Sequence, residues 1–135
     1  MLFCSPASRF AGTAVAWREL QGEPLITLTR DSGIRLLIEV AYKTVGMPLL
    51  PAYEVSQITT ALALVEARLG VAVLPTYALA AAPHRRIVSQ PLSNPIIARD
   101  IVMIRPSGRS VSPALATFET ILRRNVRRLA PSDLD

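Results

Sequence analysis

The sequence predicts an α/β fold with a mainly parallel sheet flanked by helices. Three observations lead to this prediction. A strand, a capping residue and an amphipathic helix follow one another twice between residues 25 and 70. The unbroken apolar run Val71–Leu74 then indicates a strand that is buried on both faces, as in parallel sheets. Because 50% of the 135 residues are hydrophobic and 19% are charged, the chain is expected to bury a core.

The first strand–helix unit follows a short helical turn, which is predicted for residues 15–22. Residues 25–29 alternate and are rich in β-forming side chains, which predicts a strand. Asp31 or Ser32 then supplies a side-chain oxygen that can cap a helix. This helix is expected to end at Gly46, and its apolar face consists of Ile34, Leu37, Ile38, Ala41 and Val45.

The second unit repeats the same order. Ala52–Val55 is predicted to be a short strand, and Ser56 is expected to cap the helix that follows. This helix is expected to end at Gly70, and its apolar face consists of Ile58, Ala61, Leu62, Val65 and Leu69.

The rest of the chain predicts two more helices and two more strands. We expect an alanine-rich helix at residues 77–82, a strand at 87–89, a loop at 91–95 and a long strand at 96–104. A final helix begins at about Ser110 or Ser112, with Pro113 in its first turn, and its apolar face consists of Leu115, Phe118, Leu122, Val126 and Leu129.

Several classes of function are excluded by what the sequence lacks. Cys4 is the single cysteine and His84 the single histidine, so the chain has neither an internal disulfide nor a cysteine–histidine zinc site. We expect Cys4 to be a small buried hydrophobe and His84 to lie in a loop, where no catalytic triad surrounds it. No phosphate-binding loop, metalloprotease or dinucleotide-binding motif is present. We therefore expect no catalytic residues, no metal and no cofactor.

The hydropathy pattern favours a cytoplasmic protein without a membrane segment. The longest uncharged stretch, residues 69–84, contains two prolines and is shorter than the roughly 18 to 20 apolar residues that span a bilayer. The first ten residues make a poor secretory signal, because no basic residue precedes their short apolar run.

The charge balance is strongly basic, with a net charge of +5 at pH 7 that comes mostly from arginine. Four arginines lie close together near the end of the chain, at Arg123, Arg124, Arg127 and Arg128. They complement the carboxyl end of the final helix. The alternative is a surface for phosphate or for a partner, although no aromatic side chain lies among them to stack on bases.

The segment Val65–Pro75, which reads VEARLGVAVLP, resembles the helix–turn–strand signature of LysR-type transcriptional regulators. Weaker similarity extends outward in the order that the family shows. Residues 15–26 resemble the linker into the second regulatory subdomain, and residues 5–11 resemble a degraded aspartate-histidine-proline-leucine-alanine segment. Residues 98–105 and 112–118 are similar to the strand and last helix of the effector-binding domain.

The sequence departs from the family pattern in two places. Arg68 stands where the family usually has the first glycine of a glycine-x-glycine step, and we expect Gly70 to take the left-handed conformation. The second departure is at the front, where the winged helix-turn-helix, the linker helix and most of the first regulatory subdomain are not found. The resemblance therefore implies a truncated fragment of such a regulator.

The resemblance implies a periplasmic-binding-protein-like (type 2) subdomain, with residues of about 15–95 forming the second regulatory subdomain. Residues of about 96–135 would return into the first subdomain with a C-terminal strand and helix. The implied function is the sensing of a small anionic effector in the cleft between the subdomains. The full-length parent would be a dimer or tetramer and would bind DNA through its helix-turn-helix, which lies outside this chain. The alternative is a module like a periplasmic solute-binding protein, which requires an export signal and a chain about twice as long.

The expected binding residues lie in two turns that follow predicted strands. Ligands of open α/β sheets bind beyond the carboxyl ends of the strands, where helix N-termini attract anions. An arginine there is suited to bidentate pairing with a carboxylate. The effector-binding candidates are Thr29, Arg30, Asp31, Ser32, Ser56 and Gln57, and Glu54 is a candidate charge partner in a conformational switch. The alternatives are plain helix capping for Ser32 and Ser56, and an ordinary surface carboxylate for Glu54.

Overall fold

The structure, a computed structural model, describes residues 1–81, 83–98, 101–108 and 110–129. The chain divides into two compact units, Met1–Ile97 and Ala98–Asp135. The strands in the described part are β1 (Leu2–Cys4), β2 (Val15–Ala16), β3 (Leu25–Leu28), β4 (Pro51–Val55), β5 (Val71–Val73), β6 (Val88–Gln90) and β7 (Leu92–Ser93). The helices are α1 (Gly33–Thr44), α2 (Ile58–Glu66) and α3 (Pro113–Leu129), with two 3-10 turns at Trp17–Leu20 and Thr76–Ala81.

The first unit is built on a five-stranded sheet of order β4-β3-β5-β1-β6. Strand β3 pairs in parallel with β4 and with β5, whereas β1 runs antiparallel to both of its neighbours, β5 and β6. A second, two-stranded parallel sheet joins β2 to β7. The α/β prediction is confirmed, and each of the two strand–helix units appears where the sequence placed it.

The hydrophobic core lies on both faces of the five-stranded sheet, because successive side chains of a strand point to opposite faces. Leu25 and Leu2 belong to the cluster that also contains Ile38 and Ala41 of α1. On the other face, the cluster of Phe3, Ile26 and Ala72 packs with α2. Cys4 is completely buried, as expected, and His84 is exposed in a turn.

Helix α1 begins where capping chemistry predicts. The hydroxyl of Ser32 accepts a hydrogen bond from the backbone N–H of Ile34 at 3.2 Å, which satisfies one of the free donors of the first turn. The helix ends at Thr44, and Gly46 beyond it has a φ of +72°.

Helix α2 corrects two predictions. Its N-cap is Gln57, and no side chain caps it, so the predicted capping by Ser56 is wrong. The left-handed residue is Arg68, with a φ of +62°, and not Gly70. The reason is that the helix closes in a Schellman motif, in which Leu69 N donates to Leu64 O and Arg68 N to Val65 O.

Gly70 is required for a different reason. A Cβ atom at this position would overlap the carbonyl oxygen of Pro24. That same oxygen accepts a hydrogen bond from Val71 N at 2.9 Å, which holds the starts of β3 and β5 together. Gly70 therefore permits the close approach of two backbone segments.

Three predictions in the second half of the chain are wrong. No strand forms over residues 96–98 and 101–104, the described part of the long predicted strand, and most of its large apolar side chains are exposed. Arg99 and Asp100 lie outside the described residues. Strand β7 instead falls inside the predicted loop, because Leu92 and Ser93 find hydrogen-bond partners in β2. The predicted alanine-rich helix is a 3-10 turn, and Ala82 lies outside the described residues.

The second unit contains α3, which begins at Pro113, close to the predicted start, and Ser112 caps its first turn. The Ser112 hydroxyl accepts from Leu115 N at 3.3 Å. On the apolar face of α3, the side chains of Leu115, Phe118, Leu122 and Val126 are exposed, with Phe118 at 58%. Arg123 and Arg124 are also exposed, and the side chains of Arg127 and Arg128 lie outside the description. None of the described helices is long and apolar enough to cross a membrane.

Candidate functional site

The two turns that the sequence singles out meet at one end of the sheet. Strands β3 and β4 are parallel neighbours whose last residues, Leu28 and Val55, are in register. The first residue after β3, Thr29, donates its backbone N–H to Val55 O at 3.0 Å. Residues 29–32 and 56–57 are therefore side by side, each preceding the N-terminus of a helix.

The first turn is held by its own hydrogen bonds. Ser32 N donates to Thr29 O at 3.0 Å, and the Ser32 side chain is engaged as the cap of α1. A hydrogen bond from the Thr29 side chain lowers the pKa of the Asp31 carboxyl below its usual range, so this carboxylate is negative at neutral pH. Arg30 is exposed on the same turn. The turn thus presents a guanidinium beside a carboxylate.

The second turn is free of the capping role that the sequence suggested. Ser56 and Gln57 are both exposed, and neither side chain caps α2. The backbone of Gln57 begins the helix by accepting from Ala61 N at 3.1 Å. Helix capping, the alternative explanation for both serines, therefore applies to Ser32 and not to Ser56.

Glu54 is held by a residue that sequence reasoning missed. It is 41% exposed, and its Oε1 accepts from Nη1 of Arg35, a side chain that is only 3% exposed. Arg35 also bonds Thr27 on β3 and Glu39 one turn along α1. The i, i+4 spacing of Arg35 and Glu39 is visible in the sequence, but the link to β4 requires the sheet register.

The chemistry of this end of the sheet suits a small polar ligand. It combines one exposed guanidinium with hydroxyl and amide groups and with the N-termini of α1 and α2, which favour anions. Asp31 adds an acceptor for a ligand hydroxyl. Among the described residues there is no cluster of three side chains able to hold a metal ion.

Sequence comparison shows to which group of proteins the chain is similar. The family described as "LysR substrate binding domain" matches residues 1–127. The Escherichia coli (strain K12) protein named "Uncharacterized HTH-type transcriptional regulator YbhD" is 40% identical over 108 residues, which cover 80% of this chain and 34% of that protein. The chain spans about a third of the length of the curated relatives it matches.

Solved structures show the same fold at low sequence identity. The effector-binding domain of QuiR in complex with shikimate has a TM-score of 0.73 at 17% identity, covering 94% of this chain and 60% of that chain. The CcmR regulatory domain of Synechocystis in complex with 2-PG has a TM-score of 0.72 at 16% identity, covering 92% of this chain and 61% of that one. The fold is therefore that of a periplasmic-binding-protein-like effector-binding domain. The family consists of domains of transcriptional regulators and not of enzymes, and the chain belongs to it: this is a LysR substrate-binding domain.

Proposed function

We propose that the chain is the effector-sensing part of a LysR-type DNA-binding transcriptional regulator, and that it binds a small anionic metabolite at residues 29–32 and 56–57. The observation that carries this proposal is the hydrogen bond from Thr29 N to Val55 O, which brings the turn bearing Arg30 beside the turn bearing Ser56. Two helix N-termini and a guanidinium then converge on one place. The complex of QuiR with shikimate, a carboxylate, supports this ligand class.

Within this proposal, the roles of the residues follow from their environment. Arg30 pairs with the carboxylate of the effector, since it is exposed and is not needed as a cap. Thr29, Ser56 and Gln57 hydrogen-bond its polar groups, and Asp31 accepts from a hydroxyl. Ser32 contributes mainly by holding the N-terminus of α1. Glu54 is the charge that changes partner when the domain switches state.

The subdomain assignment is part of the same proposal. Residues of about 15–95 form the second regulatory subdomain, and residues of about 96–135 belong to the first. The exposed apolar face of α3 supports this, because such a face is normally covered by further protein. In the parent protein, we place the rest of the first subdomain and the DNA-binding helix-turn-helix outside the third that this chain spans, and we expect a cytoplasmic dimer or tetramer.

A nuclear magnetic resonance titration tests the binding proposal. Isotope-labelled chain is titrated with shikimate, and amide shifts are followed residue by residue. Because the other side of the cleft is expected outside this chain, the affinity should be weak, with a dissociation constant on the order of millimolar. We expect the shifts to cluster at residues 29–32 and 56–58 and to disappear in Arg30→Gln.

The matched control is Arg18→Gln, which removes an exposed arginine outside these turns. It should leave the shikimate shifts unchanged. Shifts that spread over all exposed arginines, or that persist in Arg30→Gln, would show that the two turns are not the effector site.

A further inference from the structure

A groove lies at the other end of strand β3, away from the effector turns. It has two adjoining parts of about 490 and 380 Å³, and these share Ser5, Ala7 and Arg68 as lining residues. Its remaining walls come from the segments that lead into β3 and β5, at Pro24 and Gly70. Leu25 and Val71, the first residues of those strands, are in register. The groove is therefore at the amino ends of the parallel strands, away from residues 29–32 and 56–57.

The carboxylates of this groove are paired with arginines. Its two carboxylates, Glu66 and Glu23, are both neutralised by arginines that are not among its lining residues. Arg85 Nη1 lies 2.8 Å from Glu66 Oε2, and Arg9 Nε lies 2.8 Å from Glu23 Oε1. Hydrogen bonds from the Arg86 backbone and the Arg85 side chain also lower the pKa of Glu66, so it remains ionised in this pair.

Two arginines of the groove are not used to neutralise these carboxylates. Arg68 and Arg86 both line the larger part of the groove, both are exposed, and neither forms an ion pair with any described residue. Ser5, which lines both parts of the groove, adds a hydroxyl. Two guanidiniums around one depression, with the local acids already paired, attract a ligand that carries two negative charges.

The backbone at Arg68 adds an independent observation. Its φ of +62° is left-handed, a conformation that glycine adopts freely and a long side chain adopts at a cost. In a Schellman motif, the left-handed position that Arg68 occupies is usually glycine. Residues with a strained backbone cluster at ligand sites, so the strain at this cavity-lining arginine supports a ligand-binding role for its side chain.

We infer that this groove is a second ligand site, separate from the effector turns, which binds a compact dianion such as a phosphate monoester between Arg68 and Arg86. Each guanidinium donates paired N–H groups to the anion oxygens, and the Ser5 hydroxyl donates one further hydrogen bond. The site is formed entirely by residues of the first unit.

The test uses inorganic phosphate as the probe, titrated into the isotope-labelled 135-residue chain at constant ionic strength with chloride as the balancing anion. We expect saturable amide shifts at Ser5, Ala7, Arg68 and Gly70. Arg86→Gln should weaken phosphate binding about tenfold, since it removes a charge-assisted contact. Arg68→Gly should weaken binding equally while folding at least as well, because glycine suits the left-handed backbone.

Two further variants make the outcome unambiguous. Glu66→Gln should strengthen binding, since it removes a negative charge and releases Arg85, whereas Arg30→Gln at the opposite end of the strands should leave phosphate binding unchanged. Non-saturating shifts distributed over all exposed arginines, or equal affinity in Arg68→Gly and the parent chain, would overturn the inference. Either result is independent of the shikimate titration, whose shifts are expected at the other end of the sheet.

Discussion

Arg35 of α1 and Glu54 of β4 form an ion pair, with Arg35 Nη1 2.9 Å from Glu54 Oε1. The same Nη1 donates to the hydroxyl of Thr27, which is completely buried, at 2.6 Å. One guanidinium thus ties helix α1 to the two adjacent strands β3 and β4. Since the loop between β3 and α1 is residues 29–32, the hydrogen bond from Arg35 to Thr27 joins the two ends of the proposed effector turn.

Replacing Arg35 by methionine is expected to lower the free energy of unfolding by about 2 kcal/mol, because it leaves the buried Thr27 hydroxyl without this partner. Methionine keeps a long side chain of similar shape, so packing changes little. Urea denaturation measures the effect. The control is Glu39→Gln, which breaks only the exposed i, i+4 contact and should cost about 0.5 kcal/mol. Equal losses in the two variants would show that the link to β3 and β4 contributes nothing.

Replacing the two serines at the proposed site by alanine should change the free energy of unfolding by different amounts. Ser32→Ala removes the hydrogen bond to Ile34 N and is expected to cost about 1 kcal/mol. Ser56→Ala removes no capping bond and should change the free energy of unfolding by less than about 0.5 kcal/mol. Thermal unfolding of both variants under identical conditions provides the comparison. A cost for Ser56→Ala as large as that for Ser32→Ala would contradict the observed caps.

These serines also show how far the sequence predicts the site. Periodicity located both strand–helix units, so the turns at residues 29–32 and 56–57 were predictable from local signals. Whether a given serine caps its helix depends on the exact first residue of the helix, which moves by one position without changing the hydrophobic pattern. The position of Arg35 against Glu54 was not predictable, because it depends on which strands are neighbours.

The two strand errors in the second half have a common physical cause. A β-rich run forms a strand only when another strand supplies its hydrogen bonds, and residues 101–104 have no such partner in the described part of the chain. Strand β7 is only two residues long and carries little signal, yet it forms because β2 lies beside it. Short strands such as β1 and β7 depend on pairing that no local window contains.

Arg68→Gly is expected to raise the free energy of unfolding by roughly 1 kcal/mol, since it relieves a left-handed backbone conformation in a Schellman motif. Chemical denaturation at two salt concentrations measures this. The gain should be nearly independent of salt, because Arg68 has no ion-pair partner among the described residues. A loss of stability would indicate that the Arg68 side chain makes stabilising contacts.

Gly70→Ala should have the opposite effect. The added Cβ would overlap the carbonyl oxygen of Pro24, which is backbone and is fixed by its bond to Val71 N. We expect a loss of about 2 to 3 kcal/mol, in the range of overpacking changes. Gly46→Ala is the control, because alanine is strained at this left-handed φ while its Cβ meets open space. Its cost in free energy of unfolding should be about 1 kcal/mol. Equal costs would show that Pro24 can move.

The alkaline titration of Tyr42 tests the packing of α1 against the sheet. The ring lies edge-on to Trp17, with centroids 5.9 Å apart, and burial raises the pKa of Tyr42 from 10.0 to about 12. The unfolded chain therefore loses this proton at lower pH than the folded chain. The contribution of the neutral, buried Tyr42 to the free energy of unfolding is complete below pH 10 and decreases as pH rises toward 12. We expect phenolate absorbance to show a late step that Tyr42→Phe removes and that Tyr53→Phe, at an exposed position, leaves in place. If the late step is absent in the folded chain, or if Tyr53→Phe removes it, Tyr42 is not buried against Trp17 as described.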